Sequence, residues 1–185
     1  MRWLHIYLSV FSLAAILFFS VTGITLNHPD WFYAGVERRV EGDGDIDLKW
    51  VKSEPVLKLA VVEHLRGKHG VRGGLAEFRV DEGECTVAFK GPGYDADVFI
   101  NRETGKYTYS ETSHGFLAVI NDLHKGRDTG RAWSLVIDVS AVLMTVVSLT
   151  GLGLLFYLKI RRVPGLVVMG VGGVVVGVVY WWGVG

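Results

Sequence analysis

Residues 4–26 read LHIYLSVFSLAAILFFSVTGITL and contain no acid, lysine or arginine. At about 1.5 Å per residue, a helix of that length crosses a hydrocarbon core of roughly 30 Å. Two further stretches share the property. Residues 133–158 carry one charged residue, Asp138, and residues 163–184 carry none. The chain therefore reads as an α-helical membrane protein with three transmembrane helices, at 4–26, 133–158 and 163–184. Residues 27–132, left between the first two spans, suffice for one small domain with its own core.

The first span is too long for the apolar region of a signal peptide, and no small-x-small cleavage pattern follows it, so it reads as an uncleaved anchor. Trp3, Tyr7, Trp31 to Tyr33, Trp133, Tyr157 and Tyr180 to Trp182 mark the span ends as an aromatic belt. Lys159, Arg161 and Arg162 lie between spans two and three with no acid nearby, which predicts a cytoplasmic loop, and Arg2 puts the N-terminus on the same side. Residues 27–132 are then outside. Lys125, Arg127 and Arg131 oppose this, but long domains translocate largely regardless of charge. In span three, Gly173 and Gly177 form a GxxxG, a spacing that lets helices approach closely.

Lysine plus arginine and aspartate plus glutamate balance at 19 each and the basic residues are scattered, so nothing points to a nucleic-acid binder. Cys85, the one cysteine, has no intramolecular disulfide partner and reads as a buried strand residue. The outside segment reads as α+β. Ser53 and Pro55 suggest a helix start, and Leu57, Ala60, Val61 and Leu65 make an apolar face over 53–67. Strand-like runs follow at 75–80, 84–90, 96–101 and 106–109, with a turn signal from Asn101 to Gly105. Residues 113–125 form an amphipathic juxtamembrane helix, with Phe116, Leu117, Ile120 and Leu123 on the face expected to lie on the membrane. Asp43, Asp45, Asp47 and Glu54 have the spacing of calcium-loop ligands. Leu48 stands where that loop needs its glycine, so a solvated acidic turn is the expectation.

Histidines are the leading candidates for chemistry. His28, His114 and His124 are expected near the outer membrane surface. A pair of imidazoles there would bind haem iron axially; alternatively they cap helices and hydrogen-bond headgroups. His5 belongs to the opposite end of span one, about 34 Å from His28 along a straight helix, so those two cannot share a ligand. Asp138 is an intramembrane ionisable group expected to face the bundle, with Asn27, His28, Thr22 or Arg131 as its partner. It reads as a structural hydrogen bond or as a proton relay. No nucleophile elbow, HExxH or phosphate loop is present, so an activity of the chain alone is not expected.

RWLHIYLSVFSLAAILFFSVTGITLNHPDW and DLHKGRDTGRAWSLVIDVSAVLMTVVSLTGLGLLFYLKIRR resemble the PepSY-associated transmembrane helix family in its short form. The shared features are an LH pair leading into span one, a TG near its end, a second LH, then W…ID, LTG and a basic inner loop. The helix and strands ending in DVFINRETGKYTY are similar to a PepSY domain. The resemblance implies a bacterial inner-membrane protein with a small α+β PepSY-like domain over 27–112, in the periplasm. It also implies a component of a periplasmic redox or iron-acquisition system, since some larger relatives are haem-b reductases linked to ferric-siderophore uptake. By position it supports His5 and His124 as cofactor residues, with His28 third. The alternative is a membrane-anchored PepSY module that binds a protein or regulates a peptidase, as secreted PepSY domains do. Expected partners are the lipid bilayer and either a second copy or a redox protein. The larger reductases have four or more spans where this chain has three. Their relatives' covalent flavin acceptor is not matched, because residues 22–25 read TGIT without a preceding aspartate.

Overall fold

The computed structural model describes residues 2–32 and 37–184. Tyr33, assigned above to the aromatic belt, lies outside them. In chain order the elements are helix α1 (Arg2–Asn27), a 3-10 turn (Pro29–Phe32), strand β1 (Arg38–Asp45), and helices α2 (Leu48–Lys52) and α3 (Lys58–His69). Strands β2 (Gly74–Val80), β3 (Glu84–Gly91), β4 (Tyr94–Asn101) and β5 (Lys106–Ser113) come next, then helices α4 (Gly115–Lys125), α5 (Gly130–Tyr157) and α6 (Lys159–Val184). The chain divides into a sheet unit, residues 18–137, and an apolar unit, residues 1–17 with 138–185.

In the sheet unit, alternation of side chains builds a five-stranded antiparallel sheet in the order β1-β5-β4-β3-β2. One face carries Cys85, Val87 and Phe89 of β3, Val98 and Ile100 of β4, and Tyr107 and Tyr109 of β5, all buried. Val61 and Leu65 of α3 and Val51 of α2 complete this core. Burying each large apolar side chain contributes about 1.5–3 kcal/mol. The other face is mostly polar, with Ala88 of β3 and Phe99 of β4 among its apolar residues.

The helix expected over 53–67 is two helices. Asp47 caps α2, its side chain accepting the Lys49 amide at 2.9 Å, and Ser53 ends that helix instead of starting one. Pro55 disfavours helical backbone at Glu54, so α3 begins only at Lys58. Leu57 falls outside the apolar face and is exposed.

The expected acidic turn is also corrected. Asp43 and Asp45 belong to β1, an edge strand whose Gly42 and Gly44 lie opposite Tyr109 and Tyr107. A Cβ on Gly44 would fall 2.6 Å from the Tyr107 hydroxyl, so glycine is what lets β1 pass over the tyrosines.

Helix α4 is fastened to the β3–β4 hairpin through Asp122. Its buried carboxylate accepts the Gly93 amide at 2.8 Å and pairs with Arg127 at 2.6 Å. Of the face expected to lie on the membrane, Phe116 is 76 % exposed, whereas Leu117, Ile120 and Leu123 are half-buried. Trp133, at the start of α5, donates its indole N–H to the Leu123 carbonyl at 2.8 Å and stands edge-on to Phe18 of α1.

Among the described residues three helices are long and apolar enough to cross a membrane: Arg2–Asn27, Gly130–Tyr157 and Lys159–Gly183. In the apolar unit, α5 and α6 are separated by Leu158 alone, so Lys159, Arg161 and Arg162 are the first turn of α6 and not a loop. Gly165 makes this possible, because it lies directly against Leu155 of α5 where a side chain would collide. Gly173 and Gly177 have no non-local atom within 4 Å of where a Cβ would stand, so the GxxxG meets no other segment among the described residues.

Candidate functional site

Each of the two histidines preceded by leucine is met by a Thr-Gly pair from another helix. In the sheet unit, His124 at the end of α4 places Nδ1 2.5 Å from Oγ1 of Thr22 in α1. Thr22 is 3 % exposed, and its hydroxyl donates to the Phe18 carbonyl at 2.6 Å. A threonine hydroxyl has one proton. With that proton committed to Phe18, the oxygen accepts from His124, so Nδ1 donates, and in the neutral ring the lone pair lies on Nε2. The Phe19 ring stands edge-on to the imidazole at 5.1 Å, and Gly23 leaves its Cε1 unobstructed. Beside this pair, the Thr25 hydroxyl lies 2.8 Å from Oδ1 of Asn121.

The apolar unit repeats the arrangement. His5 Nδ1 lies 2.9 Å from Thr150 Oγ1, whose hydroxyl donates to the Val147 carbonyl at 2.9 Å. His5 therefore also donates from Nδ1, and in its neutral ring the lone pair lies on Nε2. A Cβ on Gly151 would stand 3.2 Å from His5 Cε1, so the glycine admits the ring. In both places the histidine is held through one nitrogen and presents the other, as metal-ligating histidines do.

The remaining candidates differ. His28 stacks on Trp31 with centroids 3.7 Å apart, and its Nε2 lies 3.2 Å from the Asn27 amide nitrogen, which donates to it. His114 places Nδ1 3.1 Å from Glu37 and Nε2 3.1 Å from Asp95. Partial burial opposes its charged form, but hydrogen bonds to Asp95 and then Glu37 outweigh that and raise its pKa above the usual histidine value. In its protonated form, with both nitrogens donating to these carboxylates, His114 has no lone pair for iron. His114 and His124 sit at opposite ends of α4, about 15 Å apart along its axis. No two of the four histidines share a side-chain partner among the described residues. Asp138 is exposed, and no side-chain hydrogen bond or ion pair among the described residues involves it.

Two further features escaped the sequence reading. A cleft of about 330 Å³ beside α4 is lined by Lys90, Asp95, His114, Asp122, Arg127 and Asp128. Beneath β1, His69 stacks on Tyr109 at 4.5 Å and reaches the Tyr107 hydroxyl at 2.7 Å. Tyr109 in turn donates to Glu111. Burial, then Lys68 and His64, lower the His69 pKa, while burial and the Glu111 contact raise that of Tyr109. His64 Nε2 is buried with no hydrogen-bond partner among the described residues. The alternation in KYTYSE was the available signal, since residues two apart on a strand share a face.

No curated protein and no solved structure matches the chain. One family model does, and it takes in both histidine–threonine pairs and the sheet between them. The model is described as putative PepSY_TM-like and matches residues 1–184, so the chain belongs to that family of membrane PepSY-type proteins.

Proposed function

We propose that the protein is an inner-membrane PepSY component of a periplasmic redox or iron-acquisition system, with His124 and His5 as its haem-binding residues. The observation that carries this reading is the committed proton of Thr22, which in the neutral ring leaves the lone pair on His124 Nε2; Thr150 does the same for His5. Haem b, when bound, supplies a one-electron couple. The chain's own residues orient each imidazole and fix its tautomer. Each unit offers one histidine fit to be an axial ligand, so the second comes from another copy or a redox partner. His28 is the reserve, because Asn27 must release its Nε2 first. In this reading the first turn of α6 is cytoplasmic and the sheet is periplasmic. The test is a dithionite-reduced minus oxidised spectrum of protein made with ample haem. A low-spin b-type α-band that is lost in His124→Ala and kept in His114→Ala supports the assignment. A flat spectrum from pure protein ends it.

A second reading, a binding or peptidase-regulating module, is favoured by an exposed aromatic residue on the mostly polar sheet face. Phe99, 45 % exposed, stands in the middle of that face beside a cavity of about 520 Å³ that Asp43, Asp45, Glu84 and Lys106 help line. Under it, Phe99→Ala abolishes partner capture and His124→Ala does not.

A further inference from the structure

Where α5 ends, the apolar unit holds a cavity of about 530 Å³ lined by Arg2, Leu154, Tyr157 and Leu158. Its lining is mostly apolar, and Arg2 is the charged residue among the four. Lys159 follows Leu158 directly, and the Arg161 amide donates to the Leu158 carbonyl at 2.9 Å, which brings the first turn of α6 to the same place. That turn adds the positive end of a long helix. Arg2, Lys159, Arg161 and Arg162 form no ion pair among the described residues. The only acid in the apolar unit is Asp138, about 29 Å away along α5. The cavity thus sets the Arg2 guanidinium, with the basic first turn of α6 following directly on Leu158, against an apolar wall on helices long enough to cross a bilayer.

We propose that this cavity is a binding site for an anionic phospholipid, with the phosphodiester on Arg2 and the first turn of α6 and an acyl chain along Leu154 and Leu158. Charge complementarity selects the headgroup, and the apolar wall selects a lipid over free phosphate. The site is independent of haem and rests only on the helices lying in a membrane.

The test is native mass spectrometry of the full chain, purified from the membrane fraction in neutral detergent and titrated with phosphatidylglycerol or with phosphatidylcholine of the same acyl chains. The site predicts one preferred phosphatidylglycerol adduct. Arg2→Gln should weaken it about five-fold, the effect of one basic residue at an anionic surface. Leu154→Trp, which fills the cavity without changing charge, should weaken it as well. Lys125→Gln, at the end of α4, should leave it unchanged. Equal retention of the two lipids, or an Arg2→Gln adduct as strong as the parent's, overturns the site and leaves the membrane reading standing. Recovery of the chain outside the membrane fraction overturns both.

Discussion

The two histidine–threonine pairs have the same local chemistry and different settings. His124 and Thr22 sit in a braced corner, with Thr25 beside Asn121, Trp133 tied to Leu123 and Asp122 pinning α4 to the β3–β4 hairpin. His5 and Thr150 have Gly151 against the ring, and among the described residues no further side-chain-to-side-chain hydrogen bond involves either. The same pair is thus held by a polar network in one unit and by close backbone approach in the other. The first should fail when a network member is removed, and the second when volume is added.

The largest effect is expected at Asp122. Asp122→Ala strands the buried Gly93 amide and frees Arg127, at a cost of about 3 kcal/mol, with the exposure of Arg127 limiting the ion-pair share. Hydrogen exchange of the α4 amides should accelerate accordingly. Exchange as slow as in the parent chain would show that α4 does not depend on this contact. Next comes Gly151→Val, which drives a side chain into the His5 ring and should cost about 2 kcal/mol. Gly23→Ala meets His124 only at 3.8 Å, ordinary contact, and should leave the melting midpoint nearly unchanged. Equal sensitivity at the two glycines would erase the contrast. Thr22→Val keeps shape but removes the acceptor for Nδ1–H, a loss of about 1 kcal/mol, and should outweigh Thr150→Val because Thr22 is the more buried.

The smallest effect is a pH dependence of the sheet unit. The raised His114 pKa contributes stability that is fully present below the unfolded value of 6.5 and is lost as pH rises through the folded value. His69 has the opposite sign. Its lowered pKa weakens the fold as pH falls from 6.5 through its folded value. Chemical denaturation of the sheet unit should therefore find maximal stability near pH 6.5. Asp95→Asn should flatten the alkaline side only.

Apolar runs without charge and strands of alternating pattern announce themselves, because membrane helices and half-buried strands are each specified within a short window. That is why the three long helices and β2 to β5 were legible. Strand β1 was not, because RRVEGDGD has the composition of a turn, and its glycines make sense only once Tyr107 and Tyr109 lie beneath them. Ser53 and Pro55 imitate a helix start, and only the Asp47 cap shows that a separate short helix precedes them. The LH and TG pairs were visible as words, but their pairing joins residues 102 and 145 positions apart, which no local window contains. His114 looked equivalent to His124 for the same reason, since its carboxylate partners arrive from β4 and from Glu37.

Cys85 is fully buried in β3, and burial raises its thiol pKa, so it is slow to meet or react with a polar maleimide. The native sequence is therefore already a quiet background for labelling. A single cysteine placed in the first turn of α6, or on the mostly polar sheet face, would be the one reactive thiol in the molecule. Reagents that cannot cross a bilayer would then report which side each of those two places faces, with no prior removal of native cysteine.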